Sequence, residues 1–279
     1  MSDPFKIDGP ICISFSGGRT SAYMLWLIIL AHGGTLPPDV VVVFANTGKE
    51  VEATLRFIRE CARRWGVTIH WVEYRDDEQG FAIVDFDTAS RAGEPFEALI
   101  RKRQYLPNPV TRFCTIELKI RAMAKFLVSI GIAETQTEGE TMSIVGIRAD
   151  EPRRAAKIAD KSRIPLWAAG ITIQDVEAFW NAQPFNLELT SVNGRTLDGN
   201  CDYCFNKPPA QRLALARTGL YPIGWWVRME DGSVITKATG KGARFTKDGP
   251  SYAEIERFAR EQREMFDYDE EAVPCFCGD

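Results

Sequence analysis

Residues 11–31 read ICISFSGGRTSAYMLWLIILA: a short apolar run, a Ser/Gly turn, and a longer apolar run of helix formers. A buried strand that turns directly into a helix is the opening unit of an α/β fold. At such a junction the backbone N–H groups and the positive end of the helix dipole converge on one spot, where an anion fits. Gly17 and Gly18 allow positive φ and close backbone approach. Ser16, Thr20 and Ser21 offer hydroxyl donors, and Arg19 offers charge. The plainer reading is a tight Gly-Gly turn with Ser21 as helix cap. Neither GxGxxG nor GxxxxGK[ST] is present here, so the loop is not a dinucleotide or Walker motif.

Outward from this stretch, the run Asp39 to Ala45 (DVVVVFA) is continuously apolar, as expected of a parallel strand buried on both faces. A helix through about Trp65 and a strand over Val67 to Tyr74 follow. Glu117 to Ile130 reads as a helix and Met142 to Ile147 as another buried strand. The predicted fold class is α/β: a doubly wound, mostly parallel sheet over residues 1–165, with a smaller cysteine-bearing C-terminal portion over 166–279. Asp76 to Asn108 reads as irregular or partly helical. Ile173 to Ala182, Pro208 to Thr218 and Ser251 to Phe266 read as helices, and Gly224 to Lys237 as a hairpin turning at Asp231-Gly232.

Composition sets bounds. The 279 residues are 45% hydrophobic and 26% charged, with a formal net charge of -4. That is an ordinary globular chain, not one whose whole surface is a nucleic-acid footprint, although a local basic stripe is compatible with it. MSDPFKIDGP carries no secretory signal pattern, and the apolar stretch from Ala22 to Ala31 is half the roughly 20 residues a membrane span requires, so a cytoplasmic protein without membrane contact is expected. Seven cysteines in such a chain point to thiols or metal ligands more than to disulfides. Cys201 and Cys204 form a CxxC on a turn, the spacing that lets two thiolates share one metal or cluster. A thioredoxin-like redox pair would instead open a helix near the N-terminus. Cys12 and Cys61 read as small buried hydrophobes. His32 and His70, the only histidines, stand beside no motif, so a Ser-His-Asp or Cys-His hydrolase is poorly supported.

Arg148, Arg153 and Arg154 follow a buried strand, and guanidinium forks suit phosphate or sulfate oxygens. Asp150 and Glu151 would hold those arginines or bind Mg²⁺; a solvated charge run is the alternative. Arg112 and Lys119 flank Cys114, where basic groups either bind an anionic substrate or lower a thiol pKa. Asn46, Thr47, Gly48 and Glu50 follow the second strand, at the same sheet edge as the first loop.

SGGxxS after the first strand resembles the pyrophosphate (PP) loop of the adenine nucleotide alpha-hydrolase superfamily. VVVFANTGKEVEATLRFI (41–58), Arg112-Phe113-Cys114-Thr115 with Leu118-Lys119, GIRADEPRR (146–154) and GNCDYCFNKP (199–208) follow in the order of its phosphoadenosine phosphosulfate (PAPS) reductase family. The likeness is nearest to reductase-like members of phage and prophage genomes. It implies an adenine nucleotide (PAPS, APS or ATP) held by Ser16, Gly17, Gly18, Arg19, Thr20, Ser21, Asn46, Thr47, Gly48, Glu50, Gly146 and Arg148. It places substrate anions on Arg112, Lys119, Arg153 and Arg154. It further implies a [4Fe-4S] cluster, or in its place Zn²⁺, on Cys114, Cys201, Cys204 and either Cys275 or Cys277. The implied reaction is reduction of a sulfonucleotide, with Cys277 as nucleophile, a thioredoxin-like thiol donor and a homo-oligomeric enzyme. Three departures stand out: Thr20 where many ATP-splitting members carry Asp, Phe113 where iron–sulfur members carry a second cysteine, and a Cys275-Phe276-Cys277-Gly278-Asp279 tail. The rival readings are an ATP-dependent thiolase acting on nucleic acid and a non-enzymatic nucleotide-binding module with structural zinc.

Overall fold

The computed structural model describes residues 3–133, 143–189, 191–192, 195–196, 198–235 and 243–261. Its six-stranded sheet has the order β4-β3-β2-β1-β5-β6, from β1 Ile11–Ser14, β2 Val40–Asn46, β3 Ile69–Tyr74, β4 Phe81–Val84, β5 Ser143–Val145 and β6 Ser162–Arg163. Every pairing is parallel except β3 with β4. The chain leaves β1 in one direction through β2, β3 and β4, then returns to the other side of β1 with β5. The doubly wound expectation therefore holds, and the topological switch point lies between β1 and β5.

Period-two burial explains why these strands read as continuous apolar runs. Ile11, Ile13, Val42, Phe44, Ile69 and Trp71 pack on one face, under α1 (Arg19–Ala31) and α2 (Glu52–Trp65). Cys12, Val43, Ala45 and Val72 pack on the other against Ala122, Phe126 and Leu127 of α4 (Ala122–Ser129). Cys12 and Cys61 are fully buried, as expected, and burial pushes the Cys12 thiol up to about 12. α7 (Ile173–Asn181) closes the first face: Val176 and Trp180 join the core of β1 and α1, as do Leu166 of α6 (Pro165–Ala168) and Leu187. A third core lies beyond the strand ends, where α3 (Glu94–Arg103), α8 (Pro209–Thr218), α9 (Gly224–Glu230) and α10 (Tyr252–Glu261) surround Tyr203, Phe205 and Trp226.

Three local expectations change. The hairpin expected over Gly224 to Lys237 is the helix α9 through Glu230, because Trp225, Trp226 and Met229 turn together into the third core at helical spacing. Asp76 to Asn108 holds both β4 and α3. The expected helix from Glu117 begins earlier, as a π-helical turn over Thr115–Arg121 that runs on into α4. Among the described residues, no helix is long and apolar enough to cross a membrane.

Trp180 ties this packing to the first loop. It stacks edge-on against Phe57 and Phe185, and its indole donates a 2.9 Å hydrogen bond to the Arg19 carbonyl at the start of α1. Trp180→Ala should cost about 3–5 kcal/mol of stability in urea unfolding, whereas Trp180→Phe, which keeps most of the packing, should cost nearer 1 kcal/mol.

Candidate functional site

The loop after β1 has the backbone its glycines promised. Gly17 sits at φ +79°, and a Cβ there would lie 2.7 Å from Thr54 Cγ2 and 2.8 Å from Ile58 Cδ1 on α2. Gly146, just past β5, lets that strand approach α1 so closely that a Cβ would stand 3.2 Å from Ser21 Cα. The loop is thus clamped between α2 and the end of β5. Ser16 donates to Ser21 Oγ at 2.9 Å, and Ser21 donates to the Gly18 carbonyl at 2.9 Å. Arg148 donates to Thr20 Oγ1 at 3.0 Å while its Nε binds Asp150 at 3.1 Å.

A cavity of about 260 Å³ opens at the switch point. Its walls are Ser14, Ser16, Thr20 and Ser21 from the first strand and loop, Val145 and Gly146 after β5, and Thr47 after β2. Cys114, Cys201 and Cys204 line it too, with Arg112, Lys119 and Arg154. The loop motif and the scattered cysteines therefore face one space.

Tertiary contacts fix the CxxC loop to the β2 end. Glu50 forms an isolated antiparallel bridge with Cys201, Asp202 N–H donates to the Lys49 carbonyl at 2.9 Å, and Lys49 Nζ meets Asp202 Oδ2 at 2.9 Å. Both side chains of that pair are buried, at 4% and 7% exposure, and the Trp226 indole and Tyr203 N–H donate to the other Asp202 oxygen. Lys207 Nζ donates to the Gly199 and Cys201 carbonyls, closing the loop from its far side. Thr47 Oγ1 lies 3.4 Å from Cys201 Sγ.

Burial pushes the Cys114 thiol up to about 11; the nearby Cys204 sulfur adds to this, and Arg112 and Lys119 oppose it. Burial also raises Cys201 well above its usual value, reinforced by Glu50 and Cys204 and opposed by Lys119. The protein thus desolvates these sulfurs and sets Arg112 and Lys119 near them, a setting in which ligation by a positive centre is the natural way to hold thiolates. An all-thiol donor set suits a [4Fe-4S] cluster or Zn²⁺. Among the described residues, no three His, Cys, Asp or Glu side chains are grouped so as to hold a single ion. Cys275 and Cys277 lie outside the described residues.

The other expected site residues divide. Arg154 lines the cavity and pairs with Glu151; Lys119 lines it and pairs with Glu50 at 3.2 Å. Asp150 and Glu151 hold Arg148 and Arg154. Gly17, Gly18, Arg19, Asn46, Gly48, Glu50, Arg148 and Arg153 do not line the cavity. Arg19 turns away to Asn186 Oδ1 and the Leu187 carbonyl, at 2.8 and 2.7 Å. Asn46 is fully buried and donates to Glu73 and the Ser90 carbonyl, while its own oxygen accepts the Gly48 N–H. Arg153 is exposed. Lys49, Asp202 and Lys207, which lie inside the quoted motifs without being expected as site residues, and Trp226, which lies outside them, carry the cysteine loop. Only their lack of solvent marks them, and that is invisible in sequence.

A glycine loop between a first parallel strand and its helix, at the switch point of a doubly wound sheet, is the arrangement of a nucleotide-binding PP-loop protein. Residues 10–174 match the phosphoadenosine phosphosulfate reductase domain, and the chain belongs to that family. It is 32% identical over 212 residues to the nin region protein ORF290 of Escherichia phage lambda, covering 73% of this chain and 68% of that one. It is 31% identical over 153 residues to the protein MJ0066 of Methanocaldococcus jannaschii, covering 54% of this chain but 26% of the relative. Among solved structures, the U34-tRNA thiolase NcsA of Methanococcus maripaludis with its [4Fe-4S] cluster aligns over 98% of this chain and 77% of its own, at TM-score 0.38 and 14% identity. That likeness is too slight to carry a functional argument.

Asp202→Ala should strand the Lys49 ammonium without its partner and cost about 3–5 kcal/mol in denaturant unfolding. Gly17→Ala should weaken binding of adenine nucleotides in calorimetry by tenfold or more (about 1.4 kcal/mol per tenfold), since the new methyl has nowhere to go while α2 stays in place.

Proposed function

We propose that this protein is a sulfonucleotide reductase-like enzyme of sulfur metabolism, acting on PAPS or APS. The observation that carries the reading is one cavity lined both by residues of the loop after β1 and by three cysteines. The loop N–H groups with Ser16 and Thr20 would receive the nucleotide phosphates, and Arg148 keeps the Thr20 hydroxyl in place. Arg112, Lys119 and Arg154 would neutralise the sulfonate and the remaining phosphate charge. Cys114, Cys201 and Cys204, completed by Cys275, would hold a [4Fe-4S] cluster, which when bound supplies redox capacity beside the substrate sulfur.

In the proposed reaction the Cys277 thiolate forms an S–S bond to the sulfonate sulfur as the S–O bond to the nucleotide breaks, and the electron pair leaves with the adenosine phosphate. Two thiols of a thioredoxin-like donor then reduce the enzyme-bound thiosulfonate, releasing sulfite, restoring Cys277 and becoming a disulfide.

Sulfite release from PAPS or APS with a dithiol donor tests this directly. Turnover with at least one of the two, abolished in Cys277→Ser while calorimetric nucleotide binding persists, is the expected outcome. Absence of sulfite from both overturns the proposal, and pyrophosphate release from ATP in its place would assign the chemistry to ATP-dependent sulfur insertion. Anaerobic preparation should give iron and sulfide in about equal amounts, and Cys201→Ser should remove both together with their visible absorption.

A further inference from the structure

A second cavity, of about 600 Å³, lies on the other side of the π-helical turn from the first. It opens beyond the end of β3, along the sheet edge that carries the PP-loop, and five cations line it: Arg75, Lys102, Arg103, Arg121 and Lys125. Asp77 and Glu117 also line it; Glu117 is shared by two guanidiniums, Arg103 and Arg121, while Lys102 pairs with Asp76 at 2.6 Å and Arg75 with Glu73 at 3.0 Å. Lys125 has no ion-pair partner among the described residues; its ammonium fills the space beside Gly80, where a Cβ would stand 2.1 Å from Nζ. Thr115, Leu118 and Lys119 of the π-helical turn face the first cavity, whereas Glu117 and Arg121 face the second. The turn is thus the ridge between the two spaces.

Sequence and exposure around this ridge depart from the rest of the chain. Residues 101–121 hold six basic residues and one acid in a protein of net charge -4. The same segment supplies Tyr105, Val110, Ile116 and Ile120, half of the eight exposed large hydrophobic side chains among the described residues. Val110, at the tip of an Asn108-capped turn, is 93% exposed. Cations interleaved with bare apolar side chains form a surface that attracts a phosphate backbone and offers contact area to unstacked bases. A duplex hides its base faces and has no use for the apolar half of this surface.

From this we propose that the face made by α3, the following loop and the π-helical turn binds single-stranded nucleic acid. The backbone lies over Lys102, Arg103, Arg121 and Lys125. Bases lie against Tyr105, Ile116 and Ile120, and the strand passes over the ridge toward the mouth of the cavity that holds Cys114. This binding is independent of sulfonucleotide turnover and is measured without it.

The test is fluorescence anisotropy of the full chain with labelled single-stranded RNA and DNA of about 15 nucleotides, and with the matching duplexes, between about 50 and 200 mM salt. Saturable, salt-dependent binding that favours single strands is expected. Lys102→Ala with Lys125→Ala should weaken it about tenfold or more and lower the salt slope by about two. Tyr105→Ala should weaken it about five- to tenfold with the slope unchanged. Thermal melts confirm that each variant is folded. Absence of saturable binding at the lowest salt overturns the proposal, as does equal affinity for duplex or unchanged affinity in the folded variants. Displacement by inorganic polyphosphate, with Tyr105→Ala binding like wild type, reduces the face to a generic anion patch and also overturns it.

Discussion

A lysine ammonium taken out of water must be paired, and the pairing of Lys49 with Asp202 is the constraint on which this site depends. Lys49 stands three residues past the end of β2, immediately after Thr47-Gly48; Asp202 stands between the two cysteines of the CxxC. Satisfying both charges forces a segment about 150 residues downstream onto the end of the sheet, with Cys201 in backbone contact with Glu50. The remaining Asp202 oxygen is taken by Trp226 and Tyr203, so the same carboxylate also anchors the third core. An uncompensated charge at either end would cost more than most single core contacts contribute, which gives the loop one position.

The phosphate loop is held by a different force, steric exclusion. Gly17 fits under α2 and Gly146 fits against α1 because neither has a side chain. Aromatic packing beneath, with Trp180 bonded to the Arg19 carbonyl, sets where α1 begins. The first cavity therefore has one wall fixed by close packing and one fixed by buried electrostatics. The π-helical turn forms its third side and separates it from the basic space beyond β3. Its wider turn spreads Thr115 to Arg121 over two faces, so a single short element serves both spaces.

Much of this was legible from residues. The strand–loop–helix of 11–31, the continuous run of β2 and the strand at 143–145 gave the parallel sheet, because burial on both faces leaves an apolar signature that solvent-exposed alternation does not. That Cys114, Cys201 and Cys204 line one cavity accords with what the family likeness implied for them. Misreadings came where tertiary packing overrode local signal. Asp231-Gly232 looks like a hairpin turn, but three apolar side chains before it share one helical face and find a core there. Asn46 and Arg19 sit in motifs expected to hold the nucleotide, yet their side chains are taken up by Glu73 and Ser90 and by residues 186–187.

The sequence by itself determined the sheet, the glycine loop after β1 and the family, since these rest on periodicity, glycine spacing and motif order, all of which can be read along the chain without its contacts. Only the tertiary structure decided which of the candidate residues share a cavity, that Lys49 and Asp202 clip the cysteine loop to it, and that the basic stretch after α3 walls a second space. Those outcomes depend on which charges lose their water and on which side chains are left no room. Both are properties of residues far apart in the chain that folding brings together.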